Sequence, residues 1–527
     1  MTTLIRLIKI KYSTERGLPV IFANGRVLIE KLPFYLFAVL KSMPQKADIT
    51  LILLAVILVA ACSGQLCGQA VDVAIKAVPQ TEYVEVTGRF ADGGKDVRNL
   101  AFEREFAGVA GLGERISDVS LSAADGRKIE VKAFAPGEFA AAEPIAGFSY
   151  RVRLSPPKLA GQAHVSWLKD GRGIIFLGDL LPLPLGSGDP SARVTMSGFA
   201  GVGPPAGCIA DVKDAAFLCA DRSNGVIPIS TGSRDVEAGN GRLLLRIEGK
   251  WLFDDEPAAN EFDDVFRHYE HAFGGTPDCK PTVTIMRFAE TAPHSVWEAD
   301  TRGCSIVILS SDTPFRSQSL QQLGNLFRHE AFHLWFPNGV KLSGRYDWFY
   351  EGMALYMSKK AGLSLNRIRF DDLLSSLSTA IAFDRTAPKG LSLASATDSR
   401  WENSTTLYAR GLLAAFILDV ELLKRSKGKH SVESVLRKLF ADHGSRNAVK
   451  ADATTAILEA FSAFDDTGRL AESLLNRPEP LDLTNTLENS GMEFSSRALV
   501  VRRDPSGREK AILDKLGYNN WRKLSSR

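Results

Sequence analysis

Long apolar runs, Cys-x-x-Cys pairs, internal repeats, low-complexity tracts and a surplus of either charge are all missing from this chain of 527 residues. No run reaches the roughly eighteen apolar residues that a membrane-spanning helix needs. The run from Ile49 has thirteen uncharged, mostly aliphatic residues before Cys62, a length that suits the core of a signal peptide. Without a Cys-x-x-Cys pair, a cysteine-built zinc module has no anchor. Lys and Arg total 64 against 61 Asp and Glu, for a net charge of +3. Eight of those bases fall in residues 1–46 beside only two Glu, so the rest of the chain runs 56 to 59, or −3. No basic face is left to advertise nucleic acid. Histidine is scarce as well, at eight residues, which makes the spacing of any pair informative.

What is present is an ordinary globular balance, 45% hydrophobic and 24% charged. At this length it implies two or three domains, not one core. The apolar run ends in Ala60, Ala61 and Cys62 and resembles a bacterial lipoprotein signal, in which cleavage before the cysteine leaves its sulfur lipidated. A plain secretory signal ending at Ala61 or Ala70, or an uncleaved anchor, are the alternatives. Met43 opens a short charged leader, MPQKADIT, so translation is expected to start there. Residues 1–42 are then an extra extension, 43–61 the signal peptide and 62–70 the linker from the lipid anchor. The expected location is the periplasmic side of the envelope, at the outer membrane. Of the six cysteines, Cys67 is left over, and Cys208 with Cys219 and Cys279 with Cys304 are the local pairings expected for disulfides in an oxidising compartment.

Residues 71–250 carry short alternating runs, among them YVEVTGRF, FSYRVRLS and ARVTMSGF, separated by DG, PG, PP and GSGDP. That pattern reads as a β-sandwich-like domain. The fold class is therefore multidomain α+β. After Trp251, EFDDVFRHYEHAFGG reads as a helix ending at glycine, PTVTIMRF and SIVILSS as strands, and SLQQLGNLFRHEAFHLWF as a helix with apolar residues at helical spacing. A further helix should begin at Asp347 as N-cap and stop at Gly362, with Lys359 and Lys360 in its last turn. Residues 251–362 form the expected catalytic domain and 363–477 a helical continuation. Pro478 and Pro480 mark a linker to a short tail, 478–527.

The chemistry concentrates in RHEAFHLWFPNG, residues 328–339. His329 and His333 are four apart, so a helix places both imidazoles on one face, and Glu330 follows the first directly, the arrangement of zinc hydrolases. Seventeen residues intervene between His333 and Glu351, close enough for a helix–loop–helix hairpin to deliver a third ligand. Two His and one Glu leave a fourth position for water, which is how a catalytic site differs from a structural one. Glu330 cannot share the ion with both histidines and is suited to act as general base. Tyr408, at the start of a helix in TTLYARGLL, either stabilises the oxyanion or is a half-buried helix residue whose hydroxyl meets water. His294, Glu298 and Asp300, ahead of SIVILSS along the substrate cleft, either bind substrate or are ordinary loop residues.

HEAFHLW, WFYEGMALYM and YARGLLAAFILDVELLKRSKGKHSVESVLRKL resemble the glycyl aminopeptidase family, a branch of the thermolysin-like gluzincin zinc peptidases. The resemblance runs from about residue 251 to 494. It implies a thermolysin-like catalytic domain, one zinc ion on His329, His333 and Glu351, Glu330 as base, Tyr408 as transition-state donor, and cleavage at a peptide N-terminus. The family's glutamate for the substrate's amino group falls loosely on Glu298, in VWEADTRG. The expected partners are a peptide or protein substrate and, through Cys62, a membrane. The rival readings are a zinc endopeptidase or other zinc hydrolase, and a non-catalytic zinc-containing envelope binding or assembly protein.

Overall fold

The structure, a computed structural model, describes residues 70–527 apart from short breaks at 159, 184–189, 204, 212–213, 445–447, 496–497 and 524–527. Upstream it describes only the pairing of Phe22–Ala23 with Arg26–Val27. The signal segment, Cys62 and Cys67 lie outside the described residues. The described residues from 70 onward form one compact unit, mixed α+β, sheet-rich at its start and helical towards its end.

The alternating runs of the first half become strands. In Val71–Ala77 (β1) and Tyr83–Phe90 (β2), buried and exposed residues alternate along the chain, as a sheet with one packed face requires. They join Ile116–Ser122 (β3), Lys128–Ile129 (β4), Gly147–Arg153 (β5), Ala192–Ser197 (β6), Cys208–Asp211 (β7) and Ala216–Cys219 (β8) in one eight-stranded sheet, ordered β7-β8-β6-β1-β2-β5-β3-β4. The β6–β1 pair is parallel. Cys208 and Cys219 face each other across β7 and β8 and are bridged.

A small three-stranded sheet, Trp167–Lys169, Arg172–Phe176 and Val226–Ile229, joins this domain to the next. Ile175 and Ile227 on one of its faces share a core with β1 and β2. Trp167, Ile174, Phe176 and Val226 on the other pack against Met286, Phe288, Val307 and Leu309 of the second domain. Because side chains alternate faces, one short sheet serves two cores.

The second domain centres on Ser233–Ala238 (β9), Leu243–Glu248 (β10), Thr282–Met286 (β11), Trp297–Arg302 (β12) and Ser305–Ser310 (β13), ordered β9-β10-β11-β13-β12. The edge along the cleft is therefore β12, whereas the sequence pattern gives that place to SIVILSS. WEADTR has too few apolar residues to read as a strand, and it pairs only because β13 supplies a partner on one side. Cys279 and Cys304 are bridged, tying the approach to β11 to the β12–β13 turn. Helix Asp255–Phe273 (α1) ends at Gly274, whose φ of +78° needs no Cβ.

The helices that carry the candidate residues are Arg316–His333 (α2), Asp347–Ser364 (α3) and Ser404–Arg425 (α5), with Phe370–Arg385 (α4) and Val432–His443 (α6) around them. α3 differs from its expected bounds: Asp347 is its first residue and it runs past Gly362 to Ser364. A Cβ at Gly362 would crowd Ile368 and the Arg328 side chain, so the glycine allows close packing rather than ending the helix. Lys360 is accordingly not in a solvated last turn but fully buried. The residues after Pro480 add a hairpin, Met492–Ser495 with Ala498–Val501, and a helix, Gly507–Gly517. Leu499, Ile512, Leu513 and Leu516 join the main core.

α3 and α5 cross at Gly352 and Gly411. A Cβ on Gly352 would stand 2.4 Å from the Gly411 carbonyl carbon, so the two backbones touch there. Gly352→Ala should destabilise the protein by about 1–3 kcal/mol through overpacking and separate Glu351 from Tyr408; denaturant unfolding of the variant checks the first effect.

Candidate active site

α2 carries His329, Glu330 and His333 on its last two turns, and α3 brings Glu351 against them. The His329 and His333 Nε2 atoms stand 3.3 Å apart, and Glu351 Oε2 is 3.6 Å from each. Donors about 2.0–2.1 Å from a tetrahedral ion stand about 3.3–3.4 Å apart, so the triangle has the size a zinc ion requires. Two further observations agree. His333 Nδ1 lies 3.0 Å from the Phe336 carbonyl, a partner that directs Nε2 to the centre. Glu351 Oε2 is buried without a hydrogen-bond partner, a lone pair left for a cation. These three residues are also the grouping of metal-type donors found among the described residues. Burial would raise the Glu351 carboxyl, but His333, His329 and Arg400 outweigh it and hold it down at about 2.

The triad opens on a cavity of about 1160 Å³ whose wall comes from both domains, including Glu103, Phe106, His164 and Asp179 from the first and β12, α2 and α3 from the second. Glu330 is buried and its Oε2 accepts a 2.7 Å hydrogen bond from Thr301 Oγ1 on β12. Tyr408 sits at the start of the second turn of α5 and lines the same cavity. Burial and the Glu351 charge push its phenol well above the usual range, with Arg400 opposing. It therefore keeps its proton and can donate it in a hydrogen bond.

The other sequence candidates divide. His294 lies on an exposed loop with Nδ1 3.1 Å from the Asp312 carbonyl, outside the cavity lining. Glu298 and Asp300 line the cavity but are engaged. Glu298 accepts from the Gly161 amide at 2.7 Å and the Ala163 amide at 3.1 Å. Asp300 accepts from Arg302 Nε at 3.0 Å and lies 3.6 Å from His164 Nδ1. The Arg302 guanidinium lies over the Phe106 and Phe176 rings. Both acids thus help join the two domains at the cavity wall.

Sequence reasoning missed Thr301 and Arg400. Thr301 is found only once β12 is known to run antiparallel to β13, since Glu298 and Asp300 then face the first domain and Thr301 faces α2. Thr301→Val preserves shape and strand propensity but removes the hydroxyl. With one hydrogen bond to a charged group lost, kcat should fall about tenfold or more at unchanged metal content; steady-state kinetics with metal analysis tests this.

Among solved structures, the chain is similar to an aminopeptidase N family protein from Idiomarina loihiensis, with a TM-score of 0.66 over 80% of this chain and 78% of that one. Sequence identity is 15%, so the likeness is one of fold. No family model matches the sequence, and no curated protein does either.

Proposed function

We propose that this chain is an exported bacterial zinc metallopeptidase acting as an aminopeptidase, with a thermolysin-like catalytic domain. The observation that carries the reading is the His329, His333 and Glu351 triangle with Glu330 and Tyr408 on the same cavity. A zinc ion held by His329, His333 and Glu351 would supply Lewis acidity and make the attacking water more acidic. Glu330 takes the proton of the attacking water at the oxygen Thr301 does not engage, then returns it to the leaving amine. Tyr408 donates its phenolic hydrogen to the carbonyl oxygen as negative charge develops. β12, at the edge of its sheet and along the cavity, offers main-chain groups to an extended peptide.

A second reading, an endopeptidase on the same site, is favoured by one observation: both oxygens of Glu298 are already committed to backbone amides, leaving it poorly placed to hold a substrate's amino group. Incubating the protein with matched pools of free and N-acetylated peptides separates the two. Loss of single N-terminal residues from the free pool alone is the expected result; internal cuts that survive acetylation would establish the endopeptidase. Export and the lipid anchor at Cys62 are part of the proposal and rest on the leader sequence. Among the described residues no helix is long and apolar enough to cross a membrane.

A further inference from the structure

We infer that Arg400 is a positioning residue for the metal ligand Glu351, restricting that carboxylate to one donor oxygen. Arg400 comes from the segment ahead of α5, far in sequence from the ligands, and its planar fork spans three groups on α3. Nη2 donates to Glu351 Oε1 at 2.5 Å, and Nη1 donates to Asp347 Oδ1 at 2.7 Å and to the Tyr350 hydroxyl at 2.9 Å. The Tyr350 hydroxyl in turn donates to Asp347 Oδ1 at 2.7 Å. Asp347 and Glu351 are one helical turn apart on one face of α3, so one guanidinium holds both, and the Trp401 ring covers it at 4.5 Å.

The consequence lies in what each oxygen of Glu351 can do. Oε1 is committed to Arg400, while Oε2 has no hydrogen-bond partner and faces the two imidazoles. A free carboxylate can swing and take an ion with both oxygens; one oxygen locked by a charge-assisted hydrogen bond leaves a single donor and a fixed approach. That preserves the open coordination position that a catalytic site needs. Lysine cannot substitute, because a point charge cannot bridge Asp347 and Glu351 at once. A residue serving only as counterion for Asp347 would affect stability and leave the metal untouched.

This inference rests on the metal-site reading, and the test separates the two. Zinc affinity is measured by chelator competition on the full chain, its Arg400→Met and Arg400→Lys variants, and Asp347→Asn, which keeps the guanidinium but loosens it. Each is also loaded with cobalt(II) for its visible absorption, and circular dichroism of the metal-free forms checks folding. Arg400→Met is expected to lose about 10–100-fold in zinc affinity, with cobalt bands that weaken as coordination number rises. Arg400→Lys should show altered bands and a smaller loss, and Asp347→Asn, decisive if Arg400→Met fails to fold, a loss in the same direction. Unchanged affinity with superimposable cobalt spectra in the folded variants overturns the inference while leaving the metal site standing. A parent chain that binds neither ion overturns both.

Discussion

Glu330→Gln is expected to slow peptide hydrolysis by about 10²–10⁴-fold, the range for loss of a positioned general base, while zinc content and the folded state stay as they are. The proposed ligand atoms are those of His329, His333 and Glu351, so the variant removes none of them. Gln has the size of Glu and can still accept the hydrogen bond that Thr301 gives to Oε2, which avoids a new buried, unsatisfied group. What is lost is the capacity to take a proton from the attacking water and deliver it to the leaving amine. Kinetics of parent and variant beside their metal content provide the check. Parental turnover in a zinc-loaded variant would place the base elsewhere.

Asp419→Ala should destabilise the chain by about 3–5 kcal/mol, the cost of leaving a buried charge without its partner. Asp419 is fully buried on α5 and its Oδ2 pairs with Lys360 Nζ of α3 at 2.9 Å. The same oxygen accepts from the Tyr356 hydroxyl at 2.7 Å, and Oδ1 accepts from the Val432 amide at the start of α6. One carboxylate therefore ties together three helices, and Lys360, only 1% exposed, keeps just Glu433 at 3.4 Å when it is removed. Replacing the pair together, Lys360→Met with Asp419→Leu, should cost less than Asp419→Ala alone, because Lys360 is no longer left buried without Asp419, although Glu433 then loses its cation and the Val432 amide its acceptor. Denaturant midpoints of the single and double variants measure the difference. The effect reaches the site because α3 holds Glu351 and α5 holds Tyr408.

The legible part of this molecule is the part whose chemistry is local in sequence. Two histidines four apart define a helix face without any knowledge of the fold, and the alternation in VDVAIKA and YVEVTGRF already marks strands with one packed side. The helix ending at Gly274 and the strands beginning at Thr282 and Ser305 were similarly readable. Less legible was everything that depends on a distant partner. Lys360 in sequence is a helix-end lysine, and only Asp419, reached through the α3–α5 crossing, makes it a core residue. The polar run WEADTR becomes a strand because β13 pairs with it, and Thr301 matters because that pairing turns it towards Glu330. Arg400 sits eight residues before Tyr408 with no periodicity to mark it, and its role exists only where the chain has returned to α3. Glu298 and Asp300 were identifiable as residues beside the cleft, but their engagement with the loop holding Gly161, Ala163 and His164 required the first domain to be in place.

The most direct test is the metal itself: divalent-ion content of the purified chain, followed by chelation, assay on a mixed peptide pool, and restoration with one equivalent of zinc. About one zinc per chain, activity lost on chelation and regained on restoration, with His333→Ala neither binding zinc nor cleaving, is the expected result. Peptide hydrolysis that persists in the fully chelated protein and in His333→Ala would contradict the assignment of this site as a zinc peptidase centre.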